Sequence, residues 1–416
     1  MPLTMITWCI TALATAGVIF RPWRVPEYAW ALGGAVLLVV TGLVPVQAAL
    51  GAVARGNDVY LFLTGMMVLA ELARREGLFD WLATCAARHA RGSSQRLFDL
   101  VFLVGTLVTV FLSNDATAVV LTPAVYAATR AAKAEPLPYL FICAFIANAA
   151  SFVLPISNPA NLVIFGTHMP PLLQWLAQFA LPSLVAIGLT YLVLRWTQRT
   201  ALRLPLEEVH TLAPLSRGAR LTAAGLGVTA VLLLVVSALD KPLGLPTCLA
   251  GLATVALVHS VQRQSPWPVF KGVAWGVLPL VAGLFVLVEA LTLTGVVGAL
   301  AHTLEHWAKA APAHAGWVTG VLVAIACNLV NNLPAGLIAG SVGQLATLPD
   351  DVTRALVIAV DLGPNLSVTG SLATVLWLIA VRREGMHVSA WAFLKLGLLV
   401  MPPALLGALA MMKLLA

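Results

Sequence analysis

The sequence predicts an all-α polytopic membrane protein built as two inverted repeats of five transmembrane helices, each repeat with a re-entrant hairpin and a broken helix. Three observations lead there. Hydrophobic residues make up 60% of the chain and charged residues 10%, a balance that no water-soluble core absorbs but that successive spans of about 20 apolar residues accommodate. Small polar clusters interrupt four of the long apolar stretches, and the two halves of the chain repeat at a fixed spacing.

The first apolar run, MITWCITALATAGVIF, follows MPLT with no basic region and no small-residue cleavage site, so it is expected to be retained as the first helix rather than removed as a signal. Full crossings are expected near 4–20, 28–50, 59–73, 138–169 and 171–194, then near 221–239, 245–260, 273–294, 352–381 and 388–415. The stretches 97–130 and 316–348 are each long enough for two helices but are broken by SND and NNLP. Non-helical backbone at bilayer depth is tolerated only where protein buries it or where it lines a cavity. Each is therefore expected to be a re-entrant hairpin with its tip near the midplane.

Charge supports this order. With the N-terminus outside and each hairpin returning to its own side, 18 of the 24 Lys and Arg residues fall in cytoplasmic loops, as the positive-inside rule requires. Both termini are then periplasmic. The net charge of +7 is explained by topology, without nucleic acid. The basic stretch 195–220 is the linker between a first repeat (1–194) and a second (221–416). Cys9, Cys85, Cys143, Cys248 and Cys327 show no CxxC spacing, which argues against a zinc site or a disulfide framework.

Gly65, Glu71 and Gly77 stand 218 positions before Gly283, Glu289 and Gly295, and the same offset carries Ser113 and Asn114 onto Asn331 and Asn332. A second match pairs SNPANL (157–162) with DLGPNL (361–366) at a slightly shorter offset. Five crossings per half is an odd number, so the copies run oppositely through the membrane. That is a plan of secondary transporters, which bind near the midplane at broken helices. Crossings 4–73 and 221–294 are expected to form a scaffold against which the hairpins and broken helices move.

Polar groups at depth are costly and usually functional. At the breaks, helix N-termini present unpaired N–H groups and unwound carbonyls present acceptors. The side chains expected to contact substrate are Ser113, Asn114, Thr117, Ser157, Asn158, Asn161, Asn331, Asn332, Asn365, Ser367 and Thr369. No Lys or Arg stands in any of the four stretches, which suits a polar solute of little charge. Asp115, then Asp361, are the expected proton-coupling groups, the alternative being hydrogen-bonded caps or, for Asp361, a sodium ligand. Glu71 precedes LARRE near an expected helix end, so a coupling role for it and Glu289 is the weaker reading. The histidines fall in expected loops or interfacial ends, which disfavours a histidine relay.

These residues resemble a known family. DLGPNLSVTGSLATVLWL (361–378) is similar to the signature of ArsB-type arsenite and antimonite efflux permeases, members of the ion-transporter superfamily. The SND…TP and NNLPAG tips match the wider superfamily pattern, and SNPANLV reads like its general form. The resemblance implies an ion-transporter-like fold in a bacterial inner membrane. It also implies export of trivalent arsenic or antimony hydroxides driven by proton entry, sometimes with a separate cytoplasmic ATPase. Arsenous acid is small, neutral and hydroxylated, so Asn, Ser and backbone groups suffice to hold it. Cys327 is a candidate soft ligand for arsenic or antimony, with a small buried hydrophobe as the commoner role of a lone cysteine. No cofactor is implied. A sodium-coupled carboxylate symporter or a sodium/proton antiporter would share the architecture. An enzyme is disfavoured, because the sequence has no HExxH, GxSxG or GxxxxGK[ST] pattern.

Overall fold

The computed structural model describes residues 3–165, 169–209, 211 and 213–415. His168 and His210, two of the histidines assigned to loops, lie outside the described residues. The chain is helical throughout, with one isolated bridge, Ser93 to Pro205, as its only extended pairing among the described residues. Among the described residues, seven helices are long and apolar enough to cross a membrane, and an eighth span is formed if a bent pair is counted as one.

The first half opens with α1 (Leu3–Phe20), α2 (Glu27–Val40), α3 (Val46–Arg55) and α4 (Asn57–Arg75). The expected crossing 28–50 is thus two shorter helices. The chain turns between them through Gly42, at φ 72°, and Pro45. Next come α5 (Leu78–His89), α6 (Ser94–Phe111), the single turn α7 (Asn114–Ala116) and α8 (Thr122–Ala131), with a π-helical turn at Thr117–Leu121. The half closes with α9 (Leu137–Ala149), α10 (Pro159–Phe165) and α11 (Leu172–Thr197).

The second half holds α12 (Arg217–Ala238), α13 (Gly244–Gln262), α14 (Trp267–Gly272), α15 (Val277–Leu293) and α16 (Val296–Ala310). It continues with α17 (Pro312–Val330), α18 (Asn332–Leu345), α19 (Asp350–Leu362), α20 (Leu372–Arg383) and α21 (Ala390–Leu414). The helical path is interrupted at Leu112–Ser113, at Asn331, over residues 150–158 and over residues 363–371.

Three helices, α5, the short α14 and α16, lie where loops were expected. α5 and α16 each follow a glycine held in the left-handed region, Gly77 at φ 74° and Gly295 at φ 81°, a conformation that glycine adopts at no steric cost. The turn at Gly295 bends α15 and α16 by 72°. Each helix then lies along its neighbouring broken stretch: α5 packs on α6 and α8, and α16 on α17 and α18. Their buried faces, Leu78, Phe79, Ala83 and Ala86 in one and Val297, Ala301 and Ala308 in the other, are rich in alanine.

Packing crosses between the halves. α4 lies on α13 and α2 on α15, while α11 runs against α21. The basic linker is pinned rather than free: Leu206 N–H donates to the Gly92 carbonyl (2.9 Å), Glu207 N–H to the Ala132 carbonyl (3.1 Å), and Lys133 pairs with Glu207 at 2.6 Å. It therefore straps the start of α6 to the end of α8.

Candidate functional site

The first tip is built by local hydrogen bonds. Ser113, extended at φ −177°, caps the following turn, its hydroxyl accepting from Ala116 N–H at 3.2 Å. The Asn114 side-chain oxygen accepts from Asp115 N–H at 2.9 Å. Such caps satisfy donors that a helix start leaves unpaired. Thr117 opens the π turn and bonds Thr109 on α6 through the two hydroxyls, 2.8 Å apart. π turns inside helices are frequent at functional sites. The Asp115 side chain is half-buried, and its carboxylate has no hydrogen bond or ion pair among the described residues.

The second tip is more strained. Asn331 holds φ 74° and ψ 153°, a region that costs any residue with a side chain about 1–3 kcal/mol and persists where its surroundings enforce it. Its side chain accepts from Leu333 N–H (3.3 Å) and donates to the Thr369 carbonyl (3.1 Å), while Asn332 N–H donates to the Gly370 carbonyl at 2.8 Å. The tip is thereby docked on the second break. Ser367 donates to the Asn328 side-chain oxygen (2.7 Å), Thr369 donates to the Asn328 carbonyl (3.2 Å), and the Asn328 amide donates to the Gly363 carbonyl (2.9 Å).

The two breaks are joined directly. Asp361 is fully buried and accepts on one oxygen from the Asn158 amide (2.6 Å) and from the Ser151 hydroxyl. Asn148 donates to the Asn365 side-chain oxygen, and Asn365 donates back to the Phe145 carbonyl, each at 3.0 Å. Asn161 donates to the Ser151 carbonyl (2.9 Å), and Ser157 donates to the Val110 carbonyl (2.9 Å) at the end of α6.

The structure thus brings Asn158, Asn161, Asp361 and Asn365 into one buried cluster, and Asn331, Asn332, Ser367 and Thr369 into another. Ser113, Asn114, Asp115 and Thr117 stay apart from both, with no side-chain hydrogen bond to either. Cys327 is buried with its Sγ 4.0 Å from the Ala359 carbonyl on α19, and no group of three His, Cys, Asp or Glu residues able to hold a metal ion occurs among the described residues. Three partners escaped the sequence reading: Asn148, Ser151 and Asn328. A search for amides inside apolar runs would have found Asn148 and Asn328.

The two glutamates matched by the repeat, Glu71 and Glu289, are both paired. Glu71 is buried and bonds Arg74 (2.6 and 2.7 Å) and Arg75 (2.7 Å). Glu289 pairs with Arg55 on the wall of a cavity of about 580 Å³ that Phe165, Gly340 and Gln344 also line.

A helical membrane domain with polar breaks buried between its halves is a transporter's design, and comparison with known proteins gives the same class: a polytopic inner-membrane secondary transporter of the ion-transporter superfamily, not an enzyme. A family model described as "Citrate transporter" matches residues 15–360, and the chain belongs to that family. Its relatives include proteins described as "Arsenical pump membrane protein". One, from Yersinia enterocolitica, is 27% identical over 84% of each chain, and one from Escherichia coli K12 is 27% identical over 92% of each. An uncharacterized transporter of Mycobacterium tuberculosis is also 27% identical, over 94% of each chain. The crystal structure of the YdaH transporter of Alcanivorax borkumensis superposes with a TM-score of 0.60, covering 99% of this chain and 98% of that one at 16% identity. At that identity the likeness concerns the fold.

Proposed function

We propose that the chain exports trivalent arsenic and antimony hydroxides from the cytoplasm in exchange for protons, by alternating access. The observation that carries this reading is the lining of the tips and breaks, where Asn, Ser, Thr and backbone groups supply the donors, Asp115 and Asp361 are the ionisable side chains, and no Lys or Arg is present. Such a lining matches a neutral hydroxylated solute. The relatives described as arsenical pump proteins support it.

The substrate contacts are Ser113, Asn114, Thr117, Ser157, Asn158, Asn161, Asn331, Asn332, Asn365, Ser367 and Thr369. Asp115 carries the coupling proton, with Asp361 second. Cys327 as a soft ligand is the weakest member, because its sulfur faces a carbonyl of α19. The halves 1–194 and 221–416 form inverted repeats, a division supported by reciprocal packing. α4 lies on α13 as α15 lies on α2; α7 and its π turn lie on α20 as α18 lies on α10. The helices of 4–73 and 221–294 are the scaffold, the hairpins and broken helices move, and both termini are periplasmic. The partner proposed for the basic cytoplasmic loops is an arsenite-stimulated ATPase.

The family description favours a second reading, carboxylate transport coupled to sodium. Citrate would bring several negative charges to a site without cationic side chains, a costly arrangement. Competition separates the two: antimonite should block arsenite uptake into everted vesicles while excess citrate leaves it unchanged, and inhibition by citrate alone would favour the second reading. Crosslinking a cysteine placed at Asn332 to one on the α15 scaffold helix is expected to stop transport; an unchanged rate would overturn the division into scaffold and moving parts.

A further inference from the structure

We propose that the linker stretch Leu204–Glu207 positions the first tip, Ser113–Asp115, by clasping the two legs of its hairpin, α6 and α8, at their open ends. The two tips are held differently. Asn331 and Asn332 dock the second directly on the backbone of residues 369 and 370. The polar groups of the first bond only within their own hairpin: Ser113 and Asn114 to the turn that follows them, Thr117 to Thr109 and to the Ser113 carbonyl. The place of this tip therefore depends on how its legs are held.

The linker joins those legs at the end away from the tip. Leu206 N–H goes to Gly92, just before α6, and the next N–H, that of Glu207, goes to Ala132, just after α8. Carbonyls at a helix end lack an intrahelical partner, and Glu207 supplies one to the end of α8. On the α6 side the Ser94 hydroxyl donates to the Leu204 carbonyl, and Ser93 and Pro205 face each other as an antiparallel bridge. On the α8 side Lys133 pairs with Glu207. The chain is already tied to α6 where it leaves α11: Arg195 pairs with Asp99, and the Tyr191 hydroxyl donates to Asp99 at 2.8 Å.

The second hairpin shows the converse. At its open end Ala311 N–H and Ala346 N–H bond back to Trp307 and Val342, within their own helices. One hairpin is thus fixed at its tip and the other at its base. The competing view assigns the work to α5, which packs on both legs and would hold them whether or not the strap is closed. The clasp itself stands on the bonds above, while its importance for transport rests on the role proposed for the first tip.

The test reads legs and transport separately. Spin labels on Arg96→Cys and Arg130→Cys, exposed positions on the two legs, are placed in the purified full-length chain with Cys9 and Cys85 changed to serine. The distance distribution between them is expected to be narrow with the strap intact. It should shift or broaden in Leu206→Pro/Glu207→Lys, which removes the N–H to Gly92 and sets like charge beside Lys133. In everted vesicles the same double variant, without labels, is expected to lose about tenfold in flux. Adding Ser93→Cys/Pro205→Cys allows the clasp to be closed covalently, since facing residues of an antiparallel pair lie about 4.5–5.5 Å apart at Cα, within the span of a disulfide. Oxidation should restore the flux and a phosphine reductant should remove it again. Unchanged legs in the double variant overturn the clasp. Altered legs with wild-type flux, or a flux that oxidation does not restore, overturn its role in positioning the tip. Should the double variant fail to fold, Glu207→Lys alone decides, because both partners of that pair are exposed: unchanged legs and flux overturn the proposal. Flux is measured on arsenite, or on citrate if the wild type carries that instead, so failure of the export reading shows in the wild type alone.

Discussion

Asp115→Asn is expected to reduce proton-driven arsenite accumulation to the level of vesicles lacking the protein, while arsenite exchange down its own gradient persists. Asparagine has nearly the size and shape of aspartate and replaces the titrating oxygen with an amide nitrogen that cannot carry the proton. The surrounding turn should survive, because its bonds do not use the carboxylate: Ser113 caps Ala116 N–H, and Asn114 accepts from the backbone of position 115. The competing view makes Asp115 a charge at a helix start, which contributes about 0.3–1 kcal/mol to stability. That view predicts a slightly less stable protein with coupling intact. Measuring accumulation and exchange on the same vesicles separates the two, and full accumulation in the variant would remove Asp115 from the proton path.

Gly370→Ala is expected to abolish both accumulation and exchange. An added Cβ would lie 2.5 Å from Pro364 Cα and 2.7 Å from the Asn328 side-chain oxygen, and the first of these is backbone that cannot swing away. Gly370 also receives Asn332 N–H through its carbonyl, so any shift moves the second tip. Overpacking of a tight site typically costs about 1–3 kcal/mol, and here it falls on the contact between tip, break and α17. Gly188→Ala, on a helix face where nothing lies within 4 Å of the new atom, should transport normally. If Gly370→Ala also transports normally, the docking of Asn331 and Asn332 on residues 369–370 is not needed for function.

The sequence made the interruptions legible because polar and helix-breaking residues inside apolar runs have few explanations at bilayer depth. Ser113, Asn331, Asn158 and Asp361 were found this way. What it hid were the partners. α9 is buried along Pro138–Ala149 on every side, so it carries no amphipathic pattern to mark Asn148 as special. Its bond to Asn365 spans 217 positions, a distance over which local spacing says nothing. The same holds for Ser151 with Asp361. α5 and α16 escaped for a different reason: they are amphipathic helices carrying charged residues such as Asp80, Arg88, Glu305 and Lys309 beside long apolar runs, and the glycines that start them read equally well as loop residues. The fixed offset did point at Gly77 and Gly295, whose shared left-handed backbone is the conformational basis of that match. Glu71 and Glu289 show the limit of such matches, since both are held by arginines, but by arginines in unrelated positions.

The proposed function is movement of a neutral metalloid hydroxide against protons. Arsenite uptake into everted membrane vesicles with an acidified lumen, with and without a protonophore, tests it most directly. Export coupled to proton entry predicts accumulation that collapses when the protonophore is added. Absence of arsenite accumulation, with sodium-dependent citrate movement in the same vesicles, would contradict it.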